Sequence, residues 1–381
     1  MKLASRLPLF LLVACCAALS AQPVPPAVHV PPPLPDSAPG FDSLLGNFTF
    51  HLRYIPHPLV PPTGWTDLFG TGACYPVWNG RAQLDTVELD GANGSHIEGL
   101  TLRLYDPKAR QWRLYWANSR IGRLDPPQIG AFLNGRGDFY TTDTINGQTI
   151  LIRFDWSRMS GTPHFEQAFS SDGGSTWAVN WITDQTRTGN AVWGQPQPGS
   201  VSTPLPGTTP PTPVDTRDGQ HDFDFDTGSW KMHIRRLLHP LTGSTQWIEM
   251  EGTTVTHPIW NGRANLAEVE ADTDPSSPSA HLGLLALRLY DPVAHQWSIS
   301  FATSDVGVLS AVPAVGTFHD GRGTFYDSEL YHGRNILVRF RIGPVSANEV
   351  HSDQAFSADG GRTWETNWIN TYTRISNKDG D

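Results

Sequence analysis

Apolar and polar positions alternate along most of this chain, and no stretch sustains a helical period. Leu100-Thr101-Leu102-Arg103-Leu104-Tyr105 alternates aliphatic with polar or amphipathic side chains, Asp106-Pro107 opens a turn, and Gln111 to Trp116 returns. That order predicts a β-hairpin. It recurs from Leu285 through Asp291-Pro292 to Gln296-Trp297. Ile150, Ile152 and Phe154 alternate with Leu151, Arg153 and Asp155, and the pattern returns around Arg339-Phe340. Gly135-Arg136-Gly137 and Gly321-Arg322-Gly323 mark turns before further aromatic strands. Short strands at this spacing predict an all-β fold, a sandwich or barrel of about eight to ten antiparallel strands per unit.

The pattern is written twice. Phe41 to Arg187 is repeated as Phe223 to Arg374, with Asp90 matching Asp272, Leu102 matching Leu287 and Gln167 matching Gln354. Insertions fall between expected strands, as in a duplicated domain. The expected organisation is a signal segment at 1–21, a Pro-rich spacer at 22–40, a first barrel at 41–187, a Pro/Gly/Thr-rich linker at 188–222, a second barrel at 223–374 and a tail at 375–381. Thr208-Thr209-Pro210-Pro211-Thr212-Pro213 reads as a stiff spacer, which predicts two barrels on a semi-rigid tether.

Lys2 and Arg6 precede an apolar run, Leu7 to Leu19, with Ser20-Ala21 before Gln22. This reads as a secretory signal and predicts an exported chain, periplasmic or secreted. Leu12-Val13-Ala14-Cys15 offers a second reading, lipid anchoring through Cys15. Of three cysteines, only Cys74 lies in a repeat, opposite Thr256, so it is neither a shared metal ligand nor half of an internal disulfide. No later apolar run approaches the ~20 residues of a membrane helix. The net charge of −10 disfavours nucleic acid and anionic membrane as partners.

Each copy starts with Gly-x-aromatic (Gly46-Asn47-Phe48, Gly228-Ser229-Trp230) and ends with Thr-Arg (Thr186-Arg187, Thr373-Arg374). A last strand beside the first could lay its arginine on that ring, a cation–π clasp across a barrel floor. This is similar to the lipocalin-like (calycin) pattern. Phe223 to Trp230, Leu287 to Pro292 and Ser357 to Trp364 with Asn367-Trp368 further resemble the uncharacterised bacterial family labelled domain of unknown function 1579. The resemblance covers nearly all of both copies, with Phe48 replacing the expected tryptophan in the first. It implies two tandem calycin-like antiparallel β-barrels and no established activity.

Ser170 to Trp177 and Ser357 to Trp364 match the S-x-D-x-G-x-T-W pattern of Asp-box hairpins, known from sialidases and other β-propellers. A propeller needs a box per blade, so a single box in each copy reads as turn chemistry. Paired histidines, above all His51 with His233 and His164 with His351, are weak candidates for metal or haem, because no ligand spacing accompanies them. The preferred expectation is a non-enzymatic carrier or sequestering protein with a small, mostly apolar or amphipathic ligand in one or both barrels and no cofactor. Trp65, Trp116 and Trp181 would bury its body and Arg81, Arg103 and Arg153 meet its polar head; the second-copy set is Trp247, Phe301, Trp368, Arg263, Arg288 and Arg339. Two alternatives stay open: an envelope hydrolase or other acid–base enzyme using Glu88, His164, Tyr105 and Arg103 on a glycan or small lipid, and a purely structural tandem module. Unmatched pairs such as Trp116 and Phe301 predict different preferences in the two barrels.

Overall fold

Alternating strands close into two antiparallel barrels of ten strands each in a computed structural model, described over residues 40–57, 59, 64–92, 94–194, 218–273 and 281–376. The signal segment with Cys15, nearly all of the first spacer, the Pro-rich part of the linker and the last five residues lie outside the described residues. The first barrel comprises Gly46–Tyr54 (β1), Thr66–Val77 (β2), Ala82–Gly91 (β3), His96–Asp106 (β4), Gln111–Asn118 (β5), Gln128–Leu133 (β6), Arg136–Ile145 (β7), Gln148–Ser157 (β8), His164–Ser170 (β9) and Ala178–Gly189 (β10). The second comprises Gly228–Leu237 (β11), Trp247–Ile259 (β12), Ala264–Asp272 (β13), His281–Asp291 (β14), Gln296–Thr303 (β15), Ala314–His319 (β16), Arg322–Tyr331 (β17), Arg334–Ser346 (β18), Glu349–Ser357 (β19) and Glu365–Ser376 (β20). In each, every strand pairs with its sequence neighbour and the last closes on the first, an up-and-down meander without free sheet edges.

A short 3-10 turn plugs each floor. Phe41 precedes the turn Asp42–Leu44, and its ring packs edge-on against Trp112, Phe132 and Trp156. Phe223 does the same before Asp224–Asp226, against Trp297 and Phe318. Both rings are almost wholly buried, and burying one contributes about 2–3 kcal/mol. The second floor also forms the expected clasp. Arg374 lies 3.8 Å from the Trp230 ring centre and donates to the Thr227 and Phe225 carbonyls at 2.8 and 2.7 Å. In the first barrel, Arg187 donates to the Leu45 carbonyl at 3.2 Å and to Asn190 at 2.8 Å.

The leucines of β4 face outward and its arginine faces in, because strand parity sends Leu100, Leu102 and Leu104 to one side and Thr101 and Arg103 to the other. Those leucines are buried against the other barrel: a single apolar cluster joins them with Ala82 and Leu84 to Ala264, Leu266, Leu285, Leu287 and Leu289. The two barrels therefore pack on equivalent faces instead of hanging on a tether. Trp193, just past β10, stacks between Tyr75 (3.9 Å) and His257 (4.0 Å), which occupy matching positions in β2 and β12. Gly122 and Gly307, also matching, each take positive φ against the opposite barrel, where a Cβ would sit 1.7 Å from the Tyr290 oxygen and 1.9 Å from the Tyr105 oxygen. Reciprocal pairing of this kind defines a pseudo-twofold interface.

Candidate functional site

Each barrel encloses a cavity above its plugged floor. The first has a volume of about 450 Å³ and is walled by aromatic and aliphatic side chains, including Phe50, Leu89, Trp116, Phe154, Trp156 and Trp181. Trp116 and Trp181 meet edge to face, ring centres 6.1 Å apart. The Trp181 indole donates to Thr183 at 2.7 Å, so its orientation is set from within the same strand.

At the bottom, Arg103 is completely buried and paired with Asp85 on β3. Its guanidinium lies 4.5 Å from the Phe41 ring centre and 5.3 Å from that of Trp156. Burial opposes the charge on Arg103, but Asp85 overcomes it and holds the group's pKa above its ordinary value. The neighbouring Cys74 thiol is pushed well up, by burial first and the Asp85 charge second, so it stays protonated and unreactive.

The second cavity, about 230 Å³, keeps the plan and changes the parts. Arg288 lies 4.5 Å from the Phe223 ring centre and pairs with Asp226 of the floor turn, while Phe301 and Trp368 line the wall. Ser352, Asn370 and Tyr372 form a buried hydrogen-bonded group, with Asn370 donating to Ser352 at 2.7 Å. Burial, and next the Asp226 charge, pushes Tyr372 up to about 12. Arg236 lies at the mouth, 5.1 Å from the Trp368 ring centre, and burial lowers it to about 10. In both barrels a glutamine on the ninth strand donates to an asparagine on the tenth: Gln167 to Asn180 at 3.1 Å, Gln354 to Asn367 at 3.0 Å.

Six of the twelve residues expected to bind ligand line the cavities: Arg103, Trp116, Trp181, Arg288, Phe301 and Trp368. The other six do not, each for a physical reason. Arg81 and Arg263 sit at the barrel–barrel interface, where Arg263 reaches Glu98 at 2.6 Å and Arg81 feels the charge of Glu270. Arg153 and Arg339 lie on the outer faces, since Ile152 and Phe154 point in, and they stack over Trp177 (4.7 Å) and Trp364 (4.6 Å). Trp65 and Trp247 lie outside the cavities and carry Arg53 and Arg235 at 5.7 and 5.2 Å. Repetition between copies had drawn attention to all six, and it reports interface and surface stacking as readily as a binding site.

Lining residues without a like counterpart were missed, Asp85, Asp125 and Gln128 in the first cavity and Asp226 and Arg236 in the second, and so was the matched carboxylate pair Asp143 and Glu329. Strand parity was the signal for Asp85, which shares a face with Val87 and Leu89.

The acid–base set does not assemble. Glu88 lies among Glu98, His96 and Arg263 at the interface, His164 pairs with Asp184 (2.8 Å) and Glu166 (3.1 Å), and Tyr105 packs on Trp112. Parity sends the four candidate metal-binding histidines outward. There His51 meets Asp67 at 2.6 Å, His233 meets Glu251 at 2.6 Å and His351 meets Glu349 at 2.7 Å. Among the described residues no group of three or more His, Cys, Asp or Glu could hold a metal ion. The Asp boxes are turns: Asp172 accepts from Ser170, Thr176 N and Thr176 Oγ1 at 2.8, 2.9 and 2.7 Å, and these bonds, chiefly those from Thr176, lower it to about 2.

Ten-stranded closure, plugged floors and interior cavities define a pair of lipocalin-like barrels. No helix among the described residues is long and apolar enough to cross a membrane. No family model matches the chain, and no curated protein matches it in sequence. Among solved structures it is similar to a protein of unknown function from the DUF3598 family of Nostoc punctiforme, at 10% identity over 88% of this chain and 97% of that one, TM-score 0.23. It is also similar to intact Ap-TbpB, N and C lobes (9% identity, 86% and 76% covered, TM-score 0.18), and to EF1p2_mFAP2b bound to DFHBI (9%, 41% and 99% covered, TM-score 0.23). Similarity this loose transfers no site, and the fold class rests on the chain's own strand order.

Proposed function

We propose that the protein is an exported, non-enzymatic binder of small amphipathic molecules, of the domain-of-unknown-function-1579 type, with the first barrel as the principal site. The observation that carries this reading is the 450 Å³ cavity, apolar along its walls and polar at floor and rim. That combination fits a ligand with an apolar body and one polar end. A floor arginine already neutralised by Asp85 supplies orientation and leaves no free charge at the bottom. The smaller second cavity suits a smaller guest or a side-chain-filled scaffold role.

The test is a titration of protein purified from an envelope fraction, its N-terminus sequenced, with a neutral polarity-sensitive dye such as Nile red. One site per chain with a dissociation constant of about 1 µM is expected. Val87→Trp, which fills the first cavity, should abolish that site while the circular dichroism spectrum stays β-rich. A wild-type chain that binds no dye and carries no lipid or pigment would refute the reading.

A further inference from the structure

The first cavity sets Asp125, Asp143 and Gln128 along its rim, whereas the second keeps one carboxylate of that set, Glu329, and adds Arg236. We propose that the first barrel selects ligands with a cationic nitrogen head, an amine or ammonium on an apolar body. The head sits against Gln128, Asp125 and Asp143, and the body lies among Tyr54, Trp116 and Trp181. This deepens the small-molecule reading above and rests on it.

Gln128 holds an acceptor that the protein itself leaves unmet. It lines the cavity and is only 3% exposed. Its amide nitrogen donates to the Pro126 carbonyl at 3.3 Å, and because a carbonyl can only accept, that contact fixes which end of the amide it faces. Oε1 is left buried without a hydrogen bond. A buried acceptor without a donor is costly and is normally satisfied. A ligand N–H supplies the missing donor, which a carboxylate or ether could not.

Two carboxylates add negative charge beside Gln128. Asp125, in the loop before β6, and Asp143, near the end of β7, line the same cavity. Partial desolvation and then the Asp143 charge raise Asp125, so the two carboxylates feel one another across the rim. The one arginine among the described lining residues, Arg103, is already paired with Asp85, and no lysine joins it. His57 is the remaining titratable base on that rim.

The second barrel is a built-in control. Ser310 replaces Asp125, Ala314 replaces Gln128 and Arg236 replaces Tyr54, while Glu329 keeps the carboxylate of Asp143, so the second mouth sets a guanidinium beside one acidic position instead of two carboxylates and an amide oxygen.

The experiment compares n-octylamine, 1-octanol and octanoate on the full chain at pH 7, by intrinsic fluorescence and calorimetry. Octylamine is expected to bind about tenfold more tightly than octanol, the scale of one charge-assisted hydrogen bond, with octanoate weakest. Asp125→Asn with Asp143→Asn should erase the amine advantage and leave octanol within about twofold. These amides relieve a repulsion, so the variant is expected to fold; Gln128→Leu, which should weaken the two donors octylamine and octanol about fivefold and leave octanoate little changed, is the independent second variant. Octanol binding without an amine advantage, or an advantage that survives the double substitution, overturns the cationic-head proposal and leaves the binding function standing. Failure of all three ligands in a chain that still binds Nile red overturns the cationic-head proposal alone, and failure of all three together with Nile red removes both.

Discussion

The two barrels keep the same floor arginine and neutralise it from different places. Arg103 meets Asp85 on β3, whereas Arg288 meets Asp226 on the plug. The matching positions are Ala267 and Leu44, so each barrel has an apolar residue where the other has its carboxylate. A buried guanidinium must keep a counter-charge, but the fold does not dictate which element supplies it. Volume is exchanged in the same way. Gly99 makes room for Trp116, since a Cβ there would lie 2.1 Å from the indole, while Leu284 stands beside the smaller Phe301. Neutrality at the floor is common to both barrels, and cavity shape is what diverged.

The strongest way to break this comparison is to strand the arginine. Asp85→Ala should cost the first barrel about 3–5 kcal/mol, because Arg103 keeps its charge with no partner. Adding Leu44→Asp copies the second barrel's solution and should recover at least half of the loss in urea denaturation. No recovery would mean that the carboxylate's place matters as well as its presence.

Why such swaps escape a reading of the sequence is a matter of what repetition can report. Alternation made the all-β architecture legible, and Arg103 with Arg288 stood out as charges inside apolar strands. Asp85 and Asp226 did not, because each has an apolar counterpart and only their three-dimensional exchange shows that they do the same job. Arg81 and Arg263, each inside a repeated Trp-Asn-Gly-Arg-Ala segment, misled in the opposite sense. They match because a pseudo-twofold interface uses the same face of both barrels, and Trp78 N donates to Glu268 across it at 2.9 Å. A sequence comparison cannot separate interface residues from cavity residues when both recur. Parity could have separated Arg153 and Arg339 from the cavity, since their strand neighbours Ile152, Phe154 and Phe340 point inward.

That shared face can be opened separately. Trp193 belongs to neither repeat and stacks on one residue from each. Trp193→Ala should lower stability by about 2 kcal/mol, from lost stacking and burial. More tellingly, it should uncouple the barrels, so that one calorimetric transition separates into two. A variant that shifts without splitting would show that the apolar face alone, with the Arg263–Glu98 and Arg123–Asp291 ion pairs, couples them.

The smallest expected difference between the barrels is a response to pH at one position of the second. Asp327 on β17 has no acidic counterpart, since Thr141 holds the matching position. Burial, with the Glu329 charge second, pushes Asp327 up to about 7, and its Oδ1 is buried without a partner. An unfolded aspartate titrates near ~3.9. Between those values the folded chain holds a proton that the unfolded chain has lost, so raising the pH withdraws stability. The group favours folding fully below about pH 4, loses that contribution as pH climbs through 7, and changes nothing further above it. Because solvent reaches part of this side chain, the effect is about 1 kcal/mol and not the full value of the shift. Asp327→Asn should therefore stabilise the second barrel at pH 8 and matter little at pH 4, with Thr141→Asp installing the same slope in the first. Equal urea midpoint shifts for Asp327→Asn at both pH values would show that Asp327 titrates as an ordinary surface carboxylate and that the barrels do not differ in this respect.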